Sequence, residues 1–272
     1  MKTRFIRILL PSLIVVTLGN LLNAQDKQSV NNLDTIQVIN SIDTTLLAER
    51  IFNLIILDES GSMSALKEVA VAGVNETFQT IRSAYEEFPQ QEQFVTFATF
   101  SGSPYYQENT CRVKRERQRI DGVTDLELTE YNPDDVTPLW DTMGKLLCEL
   151  EECVNEEDLV LVTIITDGYE NSSVKYDAQK IKNLVSRLDE KGWIFTYIGA
   201  NQDVSKVSTE MGIGNYYFYV SDKKNTKRMF ARERKFRLRF YKSSRYWEQS
   251  GVSKEELRKK LQEGYFEEGS ED

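Results

Sequence analysis

Short apolar runs rich in β-branched and aromatic residues recur along the chain, and most are followed by a polar turn and then by apolar positions at helical spacing. Ile51 to Leu57 is the first such run, and it predicts a strand covered on both faces of a parallel sheet. Leu66, Val69, Ala70, Val74, Phe78 and Ile81 then repeat every three or four residues, which predicts a core-facing helix to about Phe88, where Pro89 stops it. Phe94 to Phe100 reads as a second strand. The charged stretch from Tyr105 to Leu128 is expected to hold short edge strands around Asp121-Gly122. A helix is expected from about Leu139, behind Thr137-Pro138, because proline is tolerated in a first helical turn.

The second half keeps the rhythm. Leu159 to Ile165 is the most apolar strand, ending at Asp167-Gly168, and a helix from about Val174 to Asp189 is closed by Lys191-Gly192. Trp193 to Gly199 predicts a strand, Val204 to Met211 a short helix, Tyr216 to Val220 a last strand, and the residues from about Asn225 a basic helix. Strands alternating with helices in this way predict a doubly wound, mostly parallel α/β sheet flanked by helices. In such sheets ligands sit at the carboxyl ends of the strands, so residues distant in sequence meet in one crevice.

The ends of the chain read differently. Lys2, Arg4 and Arg7 precede an apolar stretch from Ile8 to Leu22, and Asn23-Ala24 offers a small residue before Gln25. Residues 1–24 therefore have the layout of a secretory signal, with an uncleaved membrane anchor as the alternative. Residues 25–49 are polar and read as a linker, residues 50–243 as the folded domain, and residues 244–272 as a charged tail. Within that tail, Ser253-Lys254-Glu255-Glu256 matches a capping box and predicts a short helix to about Leu261. The expected location is periplasmic or extracellular, and a membrane enters only if the first segment is retained.

Composition narrows the chemistry. Among 272 residues there is no His, which removes Ser-His-Asp and Cys-His nucleophilic chemistry together with the usual zinc ligands. Three cysteines leave at least one thiol unpaired within the chain; Cys148 and Cys153 are poorly spaced for a bridge, and all three are expected to be buried or half-buried thiols. What remains is a set of oxygen donors: Asp58, Ser60 and Ser62 after the first strand, Thr137 before a helix, and Asp167 after the central strand. Five hard donors on three loops suit Mg²⁺, Mn²⁺ or Ca²⁺ better than zinc or copper. Serines after a strand also serve as helix N-caps, and Ser62 or Ser64 is placed for that role.

The order Asp58-x-Ser60-x-Ser62, Thr137, Asp167 resembles the metal-ion-dependent adhesion site of von Willebrand factor type A domains. The surrounding strings Thr137-Pro138-Leu139-Trp140-Asp141 and Thr166-Asp167-Gly168-Tyr169-Glu170-Asn171-Ser172-Ser173 are similar to bacterial members, as is Tyr197-Ile198-Gly199-Ala200-Asn201-Gln202-Asp203. The resemblance covers about Ile51 to Tyr241. It implies that Ser60 and Ser62 ligate a divalent cation directly, Mg²⁺ first and Mn²⁺ or Ca²⁺ as alternatives. Thr137 would ligate directly or through water, while Asp58 and Asp167 hold coordinating waters. An open position on the ion would then take an exposed Asp or Glu of a protein partner. Gly61 and Gly168 are expected to let the backbone turn closely beside the ion.

The functional expectation is an exported, metal-dependent protein-interaction module without enzymatic activity. A Mg²⁺-dependent hydrolase or phosphatase is the first alternative, weakened because the residue two beyond Asp58 is a hydroxyl, Ser60, where an Asp-x-Asp phosphotransferase needs a carboxylic acid. An adaptor subunit of a larger envelope or ATPase-linked assembly is the second. One stretch stands outside this reading: from Lys223 to Arg245, eleven Lys or Arg face the single Glu233. The expectation is either the solvated outer face of the last helix or a docking surface for an anionic partner, nucleic acid not being expected for an exported chain.

Overall fold

The computed structural model of the chain describes residues 49–103, 109–200 and 203–249, together with positions 253, 255, 256, 259 and 260. The expected signal, nearly all of the linker 25–49 and most of the tail lie outside the described residues. Within them, strand β1 spans Glu49–Asp58, helix α1 Lys67–Glu87, β2 Gln91–Gly102, β3 Asn109–Arg119 and α2 Leu139–Glu151. Then follow β4 (Leu159–Thr166), α3 (Ala178–Glu190), β5 (Ile194–Ala200), α4 (Val204–Glu210), β6 (Asn215–Tyr219) and α5 (Lys223–Gln249).

These strands form one six-stranded sheet in the order β3-β2-β1-β4-β5-β6. Every neighbouring pair is parallel except β2 and β3, which are antiparallel. β1 and β4 are buried along nearly their whole length, as expected of central strands covered on both faces. Alternation then divides β1 between two cores. Ile51, Ile55 and Leu57 pack with α1 and α5, whereas Phe52, Leu54 and Ile56 pack with α2 and α3. The helix–helix contact under the first face is close, since a Cβ on Gly73 of α1 would lie 2.1 Å from the Phe230 ring of α5.

Three boundaries differ from the sequence reading. The stretch expected to hold short edge strands is mostly one long strand, β3, while Asp121 and Gly122 lie in a single helical turn. Charge on both faces of β3, with Lys114 to Arg117 consecutive, hides its period, yet charge is what keeps an exposed sheet edge from pairing with another chain. Helix α3 starts at Ala178 rather than near Val174, because the Asp141 carboxylate takes the backbone N–H groups of Val174, Lys175 and Tyr176, and Asp177 caps the helix through the Lys180 N–H. Helix α5 continues to Gln249, through the position 243 where the folded domain was expected to end.

Two smaller expectations also change. Cys111 and Cys148 are half-buried, but Cys153 is exposed, because it lies in the turn just past the end of α2, where its sulfur accepts a hydrogen bond from Arg117 Nη1. The capping serine of the tail is seen in part: Ser253 Oγ accepts from the Glu256 N–H at 3.2 Å. Among the described residues, no helix is long and apolar enough to cross a membrane.

Candidate metal centre

The carboxyl ends of β1 and β4 lie side by side, with Leu57 opposite Ile165 in register. The next residues out are therefore Asp58 on one strand and Thr166-Asp167 on the other. Their side chains meet: Thr166 Oγ1 donates to Asp58 Oδ2 at 2.5 Å, and Ser62 Oγ donates to Asp167 Oδ1 at 2.5 Å. Asp58 Oδ1 accepts from the Ser60 N–H at 2.7 Å, and the hydroxyls of Ser60 and Ser62 are 3.2 Å apart. Thr137 completes the group. A Cβ built on Gly168 would lie 3.1 Å from Thr137 Oγ1, 3.6 Å from Asp58 Oδ2 and 3.7 Å from Ser62 Oγ, so all three atoms converge on one small region.

Backbone hydrogen bonds fix the loops to one another. The segment before Thr137 is tied to the end of β2 by the paired bonds of Gly102 and Val136, and to the first loop by Gly61 N–H to the Asp135 carbonyl and Asp134 N–H to the Glu59 carbonyl. Asp135 adopts a φ of +63°, a left-handed conformation that Asp tolerates better than most residues. Thr137 is held from the other side by Asn171, whose Oδ1 accepts the Thr137 N–H while its own N–H donates to the Thr137 carbonyl. Glu170 in turn accepts from the Trp140 N–H at the start of α2 and from the Ser172 and Ser173 N–H groups. The third loop is thus stapled to the helix that Thr137 precedes.

The serines are not helix caps. Ser62 and Ser64 lie inside a short 3₁₀ turn, Gly61–Leu66, that precedes α1, and Ser60 at its start makes no side-chain capping bond. Ser64 Oγ instead donates to the Gly61 carbonyl. The two glycines divide. Gly168 has Thr137 Oγ1 close against it, as expected, whereas a Cβ on Gly61 would find its nearest atom, the Asp135 carbonyl oxygen, at an ordinary 3.5 Å. Gly61 is not needed for a close approach.

Several contributors were not visible in the sequence reading. Ser221, just beyond β6, donates to Asp167 Oδ2 at 3.0 Å. Tyr131 OH donates to the Asp58 carbonyl at 2.5 Å, and Glu59 is buried, bonded to the Asn132 N–H and to Arg112. The Tyr219 hydroxyl is buried without a hydrogen-bond partner. Burial pushes its ionisation far above that of an ordinary phenol, and Asp167 and Asp58 push it further. Thr166 is a hydroxyl one residue before a strand-end aspartate, and that spacing is the signal in the sequence that points to it.

Electrostatics single this cluster out. Asp58 and Asp167 are both buried, and no Lys or Arg pairs with either among the described residues. The Asp58 carboxyl is pushed up to about 6, by burial first and by nearby Asp167 least, against hydrogen bonds from Thr166 and Ser60 that lower it. Two carboxylates and three hydroxyls, all oxygen and short of positive charge, fit a hard divalent cation. No cluster of three or more His, Cys, Asp or Glu occurs among the described residues, so hydroxyls make up most of this donor set.

No family model matches the sequence, and no curated protein matches it. Solved structures do resemble it. A von Willebrand factor type A protein from Catenulispora acidiphila is 12% identical with a TM-score of 0.45, over 70% of this chain and 43% of that one. The manganese-loaded TRAP protein of Plasmodium vivax is 13% identical with a TM-score of 0.45, over 68% of this chain and 73% of that one. Proximal thread matrix protein 1 of the mussel byssus, with a zinc-occupied MIDAS motif, is 15% identical with a TM-score of 0.42, over 68% of this chain and 45% of that one. The match thus spans less than half of the first and third of these proteins. The strand order and the strand-end loops stand on their own observations: the described part of the chain has a doubly wound α/β fold, with one mostly parallel six-stranded sheet whose carboxyl ends carry the oxygen donors.

Proposed function

We propose that the chain is a divalent-cation-dependent protein-interaction module, exported after loss of residues 1–24, with its site on Asp58, Ser60, Ser62, Thr137 and Asp167. The observation that carries this is the pair of buried carboxylates with no Lys or Arg paired to them among the described residues. A cation held by the three neutral hydroxyls and the two aspartates keeps much of its charge and attracts a further anionic ligand. When bound, the metal supplies that electrophilic position, and Mg²⁺ is the ion we expect there. The protein's own part is to hold the donors: Thr166 and the Ser60 N–H orient Asp58, Ser221 and Ser62 orient Asp167, and Asn171 positions Thr137. Ser62 is exposed, so a partner's Asp or Glu can approach from solvent. A hydrolase reading finds no carboxylic acid two residues beyond Asp58 to protonate a leaving group.

Calorimetric titration of the purified protein with Mg²⁺ and Mn²⁺ tests the site, and the same titration with an acidic peptide tests its use. One ion per chain is expected, lost in Asp58→Ala and Ser60→Ala, with the peptide binding only when the ion is present. Peptide binding that survives EDTA would remove the metal from the function while leaving the fold intact.

A further inference from the structure

Helix α5 and the rest of the chain differ sharply in charge. Eleven Lys or Arg against Glu233 and Glu248 give residues 223–249 a charge of +9, so the remainder of a chain of net −9 carries −18. Only part of this charge is used within the fold. Its apolar residues Met229, Phe230, Phe236, Phe240 and Tyr241 are buried on one side, and Arg237 is the one cation buried with them. Lys223 and Lys242 pair with Glu68 and Glu87 of α1. Lys224, Lys227, Arg228, Arg234 and Lys235 are exposed and make no ion pair among the described residues.

At 100° per residue, Lys224, Arg228, Lys235 and Lys242 fall on one line of the outer face, a ridge of roughly 27 Å along the helix axis. The flank toward α1 carries Glu68, Glu76 and Glu87, so positive potential is concentrated on the ridge and on the flank toward the edge strand β6. There Arg232 lies over the Tyr217 ring at 4.5 Å.

We propose that this face docks the domain on an anionic phospholipid surface. The ridge is straight and convex, which fits a plane of headgroups and does not fit a pocket for one acidic side chain. Four of the six unpaired or ridge-line cations are lysines, Lys224, Lys227, Lys235 and Lys242, compact hydrated charges suited to diffuse attraction, whereas recognition of a single carboxylate favours the arginine fork. The apolar face of α5 is already covered by the sheet, so the contact is electrostatic.

Flotation with phosphatidylglycerol-containing and with pure phosphatidylcholine vesicles tests the proposal. Binding to the anionic vesicles alone is expected, weakened by salt and unchanged by EDTA or Asp58→Ala. Replacing Lys224, Arg228, Lys235 and Lys242 with Glu together should lower the partition coefficient at least about a hundredfold, since each cation near such a surface contributes roughly a factor of five. Arginine at the three lysines should keep the binding and shows that any loss is one of charge. Equal binding to both vesicle types, or by the Glu variant, overturns the proposal. So does capture by heparin or polyglutamate with no affinity for anionic vesicles, which assigns the face to an acidic polymer, and so does a requirement for divalent cation, which assigns the lipid to the metal site.

Discussion

Beneath α5, Arg237, Glu233, Asn53, Thr163 and Tyr241 form a polar cluster inside the apolar core; at the carboxyl edge of the same strands, Asp58, Ser60, Ser62, Thr137 and Asp167 form another. The first balances its own charge. Arg237 is fully buried, bonded through Nε to Glu233 Oε1 at 2.8 Å, through Nη1 to Asn53 Oδ1 at 2.9 Å and through Nη2 to Thr163 Oγ1 at 2.8 Å, while Tyr241 OH also donates to Asn53. Its donors and acceptors are of both signs, and only Glu233 Oε2 is left over. The second cluster has carboxylates and hydroxyls and no cation. A buried polar group is not by itself a sign of a site; an uncompensated sign of charge is the more telling feature.

Substitutions that treat the two clusters alike should therefore give opposite results. Arg237→Ala leaves Glu233 buried without its partner and should cost about 3–5 kcal/mol, read by urea denaturation. Adding Glu233→Leu to Arg237→Met should restore much of that loss, because a hydrophobic pair of similar volume replaces a buried ion pair at little cost. In the edge cluster, saturating Mg²⁺ should raise the stability of the wild type by about 2.7 kcal/mol at a hundredfold excess over its Kd, seen as a higher Tm that EDTA reverses. Asp58→Asn should abolish that gain while changing the metal-free protein by no more than about 1 kcal/mol. If Asp58→Asn destabilises the metal-free protein as much as Arg237→Ala does, the contrast between the clusters is wrong.

The remaining tests sharpen the frame around them. Gly73→Ala pushes a methyl group into the Phe230 ring and should cost about 1–3 kcal/mol without altering metal affinity, since the overpacking lies between α1 and α5. Smallest of all, Glu68→Gln removes an exposed pair with Lys223 and should move stability by less than about 0.5 kcal/mol. Both are read by the same denaturation experiment.

The sheet and the meeting of Asp58, Ser60, Ser62, Thr137 and Asp167 were legible for one reason: each of these residues follows an apolar run or precedes a helical one, so its place at the edge of the sheet could be read from pattern. Other parts lacked that punctuation. β3 carries Arg112, Lys114, Glu116 and Gln118 between its other residues, and an edge strand so charged reads as a loop. Arg237 looked like one more member of a basic run, although Asn53 and Thr163 in otherwise apolar strands were a hint that something polar must cover them. Ser221 was invisible, being a lone serine whose importance depends on where β6 ends. Gly61 misled in the other direction, since a glycine between two serines suggested a tight approach that the backbone does not make.

The bonds between Thr166 and Asp58 and between Ser62 and Asp167 join residues 108 and 105 positions apart. Closing such long loops is slow and is rewarded only once β4 has docked beside β1. In an unfolded chain Asp58, Ser60 and Ser62 stay near one another, but nothing holds Thr137 or Asp167 beside them. The donor set therefore comes into existence with the sheet, and a cation arriving there meets only finished molecules. It would select the folded chain from a mixed population, acting as a latch that follows folding rather than as a seed that starts it.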